Sequence, residues 1–464
     1  MIGRLRCRLR PVLGGKPRPV FGGILAGALT ALCLQPRVAH ASGFHIDEQD
    51  ARATGRGGAV TANPGNASAI YYNPAGLAEL RGLNLAGGVS LVTPSAEFTS
   101  AADGSQTSAA AQTFVLPQLF ASWRASELLA IGVGIYAPFG LALDWPASSP
   151  GRTSVRQAEL HTLFITPTLA FSLSKWAPGL ALGAGLDLVP ASVRLSRDIL
   201  FGTDVASVAL SGDAFSVGAR AGITYRPPAL PGWSFGLTYR SPVQLDFEGH
   251  ADFDAPAVYR PALPPDGEVH TSVTLPQSIG LGIAFDPLPA WQIEVDGNWR
   301  GWSSYDQLDV ELPDGSVDSS RKDWEDSLTL RVGSELTFAE RWSARIGAIF
   351  DQTPVPTTTL DFQLPDANRI DLSLGVGAQL SSQFQLDLGF LYVLPQERST
   401  SNADPFEPPV KGRFTIDAWI VGLTLGIALD APGADTDAYA GGAASSACGT
   451  RARAHLPHCR SLAR

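Results

Sequence analysis

Leu180-Ala181-Leu182-Gly183-Ala184-Gly185-Leu186-Asp187-Leu188-Val189 gives one extended stretch two different faces. Leu180, Leu182, Ala184, Leu186 and Leu188 fall on one side. Ala181, Gly183, Gly185, Asp187 and Val189 fall on the other, the period of two that a β-strand imposes on its side chains. Trp233, Phe235, Leu237 and Tyr239 alternate in the same way with Ser234, Gly236, Thr238 and Arg240. In both stretches the large apolar set is continuous and its opposite face is small or polar. Past the N-terminal region no run of about 18 apolar residues occurs, so the pattern is one of strands and excludes membrane helices.

The pattern predicts fourteen strands, at 83–92, 113–124, 128–136, 159–173, 180–194, 213–226, 232–247, 269–285, 290–302, 325–338, 341–351, 369–380, 383–395 and 412–429. Connections after even strands are short, as at 125–127 and 339–340. Those after odd strands are long and carry most of the Pro, Asp and Ser, as at 137–158, 195–212 and 303–324. A soluble sandwich has no reason to keep that rhythm, whereas an outer-membrane barrel has short periplasmic turns and long external loops. The fold class expected is all-β: a fourteen-stranded antiparallel transmembrane β-barrel over residues 83–429, apolar face toward lipid. Closure is obligatory, because lipid cannot satisfy the N–H and C=O groups of an open edge. Trp123, Trp145, Trp176, Trp233, Trp291, Trp302, Trp342 and Tyr392, near strand ends, fit interfacial girdles, although taken singly most could equally be core residues.

Residues 1–41 read as a signal peptide: a basic stretch from Arg4 to Arg18, an apolar run from Val20 to Leu34 and the cleavage pattern Ala39-His40-Ala41. Between 42 and 429 the 23 Lys and Arg are outnumbered by 41 Asp and Glu, which argues against nucleic acid as a partner. No cysteine lies in the body; Cys448 and Cys459 sit in an Ala-, Gly- and Arg-rich tail, 430–464, expected to be disordered, where they could pair or stay free.

A barrel of this size encloses more space than its own side chains can fill. The segment 42–82 precedes the first strand and is rich in Ala and Gly, which suits an internal hatch packed close against the wall. Ser42-Gly43-Phe44, the run Gly55–Val60 and Tyr71-Tyr72-Asn73-Pro74-Ala75-Gly76-Leu77 resemble the hatch of the FadL/TodX group. That group comprises bacterial outer-membrane transporters of long-chain fatty acids and aromatic hydrocarbons. The likeness continues through Tyr136-Ala137-Pro138-Phe139-Gly140-Leu141, Asp144-Trp145, Tyr239-Arg240-Ser241-Pro242 and Leu275-Pro276-Gln277-Ser278. The tail 430–464 departs from it, since such barrels generally end at a terminal aromatic.

The resemblance implies passive uptake, at the bacterial outer membrane, of a hydrophobic molecule, foremost a long-chain fatty acid. Cargo would be captured at external loops, held in the lumen and released sideways into outer-membrane lipid through a gap near strand three. An aromatic hydrocarbon channel is the alternative, with a general porin or a membrane-embedded lipid hydrolase behind it. Asn73, Pro74, Ala75 and Phe44 then belong to the hatch. Ala137, Pro138, Phe139 and Gly140 are the candidate gap, because proline cannot donate to a ladder and glycine weakens one; equally, strand three could end at Tyr136 and Pro138 begin a loop. Arg220, Arg240 and Arg300 fall on the inward face and could hold a carboxylate, or could pair with inward acids such as Asp187, Glu294 and Asp296. Phe114, Leu116, Phe120 and Phe164 are inward apolar residues that could line a greasy pocket or could seat the hatch. No catalytic motif, metal spacing or cofactor loop is present, and a monomer that is not an enzyme is expected.

Overall fold

In the computed structural model, which describes residues 43–400 and 410–429, the alternating segments pair in chain order into one closed antiparallel barrel of fourteen spans. The expected signal peptide, tail and cysteine pair lie outside the described residues. The spans are β1 (Leu83–Ser100), β2 (Phe114–Arg124), β3 (Leu129–Tyr136) and β4 (Gln157–Thr162 and Phe164–Ser172). They continue as β5 (Leu180–Phe201), β6 (Asp204–Tyr225), β7 (Trp233–Arg240 and Val243–Asp254) and β8 (Gly267–Leu275 and Ser278–Leu288). The last six are β9 (Trp291–Arg300), β10 (Ser327–Phe338), β11 (Trp342–Asp351), β12 (Arg369–Gln379), β13 (Phe384–Ser399) and β14 (Gly412–Leu429). β1 closes on β14 over its whole length, from Leu83↔Leu429 to Ser100↔Gly412. No edge is left along that seam, which is what hydrocarbon demands.

Burial is inverted relative to a soluble protein. On β5, Leu182 and Leu186 are exposed while Ala181, Asp187 and Val189 are buried, and on β6 Phe215 is 66% exposed. The exposed leucines, valines and isoleucines form the lipid face that the alternation required. Trp123, Trp176, Trp233, Trp291 and Trp342 are exposed, as an interfacial girdle needs. Trp145 and Trp302 are not girdle residues: both are wholly buried, Trp145 against Phe362 and Trp302 against Phe44, because they lie beyond span ends in loops folded over the lumen.

Several spans run further than the apolar pattern. β5 and β6 continue to a two-residue turn after Phe201↔Asp204, so the long loop expected at 195–212 is mostly strand. Past the lipid zone the outer face turns polar, and the apolar-outward signal stops while the ladder goes on. The loop 303–324 carries its own hairpin, Gln307–Glu311 with Val317–Arg321.

Residues 43–82 run inside the barrel. A short helix α1 (Ala51–Gly55) is capped by Asp50, whose carboxylate accepts from Ala53 N at 2.9 Å. A second, α2 (Ala69–Tyr72), leads through Asn73 into the 3-10 turn Pro74–Glu79. The packing is backbone against backbone: a Cβ at Gly183 would lie 2.3 Å from Ala75 N, and one at Gly347 2.3 Å from Gly57 N. Glycine is required at those wall positions because any side chain would displace the segment.

Candidate functional site

The wall of the barrel is interrupted between β2 and β3. Their ladder runs only from Leu119↔Ile135 to Arg124↔Ala130, whereas β1 pairs with β2 as far as Phe114. Among the described residues, 114–118 therefore have ladder partners on one side alone. β3 ends at Tyr136, and the chain resumes as a short strand, Gly140–Asp144, paired with the first part of β4. Both readings of the Pro138 region thus hold part of the geometry: the strand stops, and the chain is diverted rather than released into a loop.

The diverted residues turn inward and pair with the start of the internal segment. Ile46 N donates to Pro138 O at 2.8 Å, Gly140 N to Phe44 O at 3.1 Å, and His45 faces Phe139 in an isolated bridge. Gln49 Nε2 adds a bond to Ala137 O at 3.0 Å. On the opposite lip, Ser90 Oγ and Gln118 Nε2 both donate to Glu48 O. Residues 43–49, hereafter the tip, thus bind both sides of the break. Pro138 matters here through its carbonyl as well as through the donor it lacks.

Two hollows meet at the tip. The larger, about 690 Å³, is lined by Phe44, Leu141, Leu160, Val193, Leu195, Phe247, Val273, Leu308 and Trp324, with Lys322 as its one cation. Lys322 is itself buried and donates to Asp361 at 2.8 Å and to Gln363 at 2.6 Å. Through Leu195 and Leu308 this hollow joins another of about 730 Å³ that includes Val155 and Leu210 from the outer loops and strand ends. The smaller, about 380 Å³, is lined by His45, Pro138, Phe139, Phe164, Asp187, Arg220, Arg240 and Arg300. Phe44 and Phe139 lie between the two, with ring centroids 6.1 Å apart, and Phe44 packs further on Trp302 and Trp324 at 4.8 and 5.8 Å.

The arginines picked out by strand phase come together here. Arg220 and Arg240 are cross-strand partners. Arg220 is paired with Asp187, its Nε donating at 2.9 Å, and Arg300 with Asp47 at 2.5 Å; Arg331 also pairs with Asp47. Arg240 differs: its Nη2 donates to Tyr71 O at 2.6 Å, its guanidinium lies 4.1 Å from the Tyr71 ring centroid, and no carboxylate is in ion-pair range among the described residues. Of the apolar candidates, Phe164 lines the basic hollow, and Phe120 stacks on Tyr136 at 5.5 Å. Phe114 and Leu116 stand half-exposed on the unpaired lip of the break and line neither hollow.

Asn73 joins the internal segment to itself and to the wall. Its Nδ2 donates to Thr61 O at 2.7 Å and to Ile223 O of β6 at 3.0 Å, while its Oδ1 accepts from Ala75 N. Pro74 opens the 3-10 turn, where its missing donor costs nothing. Ala75 is wholly buried where β5 passes at Gly183.

Sequence reasoning missed Lys322, Trp324, Tyr305, Thr359, Asp361 and Gln363, and gave Val355 and Leu364, which lie in stretches resembling the family, no site role. A signal existed: Lys322 is one of only three lysines in residues 42–429, and it stands beside a tryptophan in a loop otherwise rich in Asp and Ser. Asp366, in the same outer region, accepts from Gly43 N at 3.2 Å and from Thr353 Oγ1. Burial pushes its carboxyl up to about 6 despite the pull of Arg369.

Residues 32–428 match the family model described as outer membrane protein transport protein (OMPP1/FadL/TodX). A long-chain fatty acid transport protein of Salmonella typhi is 24% identical, over 84% of this chain and 95% of its own length. A putative outer membrane protein of Neisseria meningitidis serogroup B is also 24% identical, over 83% and 94%. Among solved structures, a FadL homologue of Pseudomonas aeruginosa superposes with a TM-score of 0.75 at 20% identity, covering 83% of this chain and all of its own. The toluene transporter TbuX of Ralstonia pickettii gives 0.66 at 18%, with 83% of this chain and all of that one covered. The structural likenesses show the same barrel fold.

Proposed function

The chain belongs to the OMPP1/FadL/TodX family of outer membrane transport proteins, and from that premise we propose that it takes up long-chain fatty acids and releases them sideways through the break beside β3. The observation that carries the reading is the break itself, with the basic hollow at Pro138 and Phe139, the apolar hollow on the other side of Phe44 and Phe139, and the tip bonded to both sides of the break. A cargo enters from the outer loops along Val155, Leu210 and Leu195 and settles with its tail against Phe44 and Phe247. Its carboxylate meets Lys322, which exchanges Gln363 or Asp361 for it. Sideways release spares the chain a passage through water, worth roughly 0.8 kcal/mol per CH₂.

In this reading residues 42–82 are the hatch, and only their first few residues must move. The protein acts as a monomer, and the cargo leaves chemically unchanged. A second reading, uptake of aromatic hydrocarbons, is favoured by the rings of Phe44, Phe247, Tyr305 and Trp324 in the apolar hollow and by the family's toluene transporters. Competition between the two cargoes for the purified protein decides which is preferred.

The test of lateral release is Pro138→Val with Gly140→Val, which restores a donor and favours straight strand. A Cβ at Gly140 meets nothing nearer than 3.5 Å, so the change fits. The double variant is expected to insert normally and to lose uptake of a long-chain acid about tenfold or more. Wild-type uptake by the inserted variant would remove lateral release from the reading.

A further inference from the structure

The basic hollow behind Phe139 is not needed to hold an apolar tail, and its composition is unlike that of the hollow above it. Three guanidinium groups, from Arg220, Arg240 and Arg300, face one lining carboxylate, Asp187. Asp187 is fully engaged by Arg220 through its Nε and Nη2. Among the described residues Arg240 is held by Tyr71, through its carbonyl, its ring face and its side-chain hydroxyl, with Asp47 nearby but outside ion-pair range. A guanidinium with donors to spare and no carboxylate is a built receptor for an anion, and Arg binds carboxylate through two parallel bonds.

The neighbouring contacts give such an anion a consequence. Arg300 donates to Asp47 of the tip, and Tyr71 Oη donates to the same carboxylate at 2.7 Å. Asp47 follows directly on Ile46, whose N–H is bonded to Pro138 O in the break. An anion seated on Arg240 therefore lies beside the Arg300–Asp47 pair, one of the two ion pairs, the other from Arg331, that hold Asp47 of the tip.

We infer that this hollow is a second, anion-specific site on the route: Arg240 receives the carboxylate of a long-chain monocarboxylate, Arg300 turns from Asp47 to it, and the tip lets go of the break. The inference rests on the transport reading above and adds that the charged head of the cargo releases its own exit. A neutral cargo of equal length lacks that trigger.

Two measurements test it. The first is uptake of a long-chain fatty acid and of the alcohol of equal length by cells carrying the full chain. Arg240→Gln is expected to lower the acid-to-alcohol uptake ratio about tenfold, and Arg240→Lys, which keeps the charge, to retain most of it. An unchanged ratio in inserted Arg240→Gln overturns the inference, while uptake of neither compound by the wild type overturns the transport reading itself. The second needs no variant: amide hydrogen exchange at Ile46 and Gly140 of the wild-type protein, with acid or alcohol added. Faster exchange with the acid alone is expected; equal exchange with both, or no change with either, overturns the inference.

Discussion

Residues 50–79 and the tip, residues 43–49, lie in one continuous internal segment, yet they meet the barrel through different chemistry. The longer part is held by contacts with no substitute. Wall glycines such as Gly183 and Gly347 admit its backbone at distances no side chain tolerates. Two buried carboxylates of β9 capture its amides: Asp296 accepts from Val60 N and Thr61 N at 2.9 Å each, and Glu294 from Ala62 N at 2.6 Å. Glu294 also pairs with the wholly buried Arg56 at 3.1 Å. The tip is held by the Asp47 ion pairs and a few bonds to the lips of the break, all of which an anion or a restored strand could replace. If the segment is the plug proposed above, its firmly held part and its tip have separate tasks, and ion leakage and cargo release are expected to be separable.

The sharpest way to break that comparison is at the firmly held end. Glu294→Ala removes the acceptor for Ala62 and strands the Arg56 guanidinium without its closest partner. Breaking one side of such a buried pair costs about 3–5 kcal/mol. We expect the barrel to insert but residues 56–63 to exchange their amide hydrogens freely, and planar-bilayer conductance to rise from a low baseline. Protected amides and an unchanged conductance would mean that the wall glycines alone hold the segment.

A smaller effect is expected at the joint of the two behaviours. Pro74→Ala leaves the bonds of Asn73 in place and frees only the first residue of the 3-10 turn, a cost of about 0.4–1 kcal/mol through the unfolded chain. Uptake should fall severalfold at most, with the barrel inserted and its conductance still low. Wild-type transport would reduce Pro74 to a packing residue. Rising conductance would instead show that this turn belongs to the seal.

How far the sequence foretold these regions follows from where each signal comes from. The barrel was legible because lipid imposes a period of two on every span, as in Leu180–Val189, and because closure forces an even, alternating connectivity. The inward phase of Arg220, Arg240 and Arg300 was legible for the same reason. Their partners were not: that Asp187 takes Arg220 and Asp47 takes Arg300, while Arg240 meets no carboxylate in ion-pair range among the described residues, depends on contacts across the lumen that follow no spacing rule. Ala137–Gly140 announced an irregularity but could not reveal that Phe44–Ile46 fills it, since pairing between residues about ninety apart leaves no local mark. Lys322 and Trp324 sit in an outer loop, where no periodicity constrains the chain. For Trp145 and Trp302 the structure takes the core alternative, which the sequence cannot separate from the girdle because a tryptophan near a span end looks the same whether it faces lipid or folds over the lumen.

The smallest effect concerns the outermost hold on the tip, Asp366, whose carboxylate accepts from Gly43 N and Thr353 Oγ1 and lies near Arg369 and Asp351. Its folded-state pKa of about 6 lies above the ordinary carboxylate value, so folding binds its proton more tightly than the unfolded chain does. The folded form is therefore favoured by protonation. Stability falls as pH rises from about 4 to about 6 and levels off above, by at most about 3 kcal/mol from this one group. Asp366→Asn removes the ionisation and keeps an oxygen acceptor for Gly43. Melting measured across pH 4 to 8 should thus show the variant gaining on the wild type through that window and holding a constant advantage beyond it. A gain running the opposite way would mean that the charged carboxylate is a favourable anchor for the tip, and the contrast between its exchangeable hold and the fixed hold of residues 50–79 would have to be redrawn at Gly43.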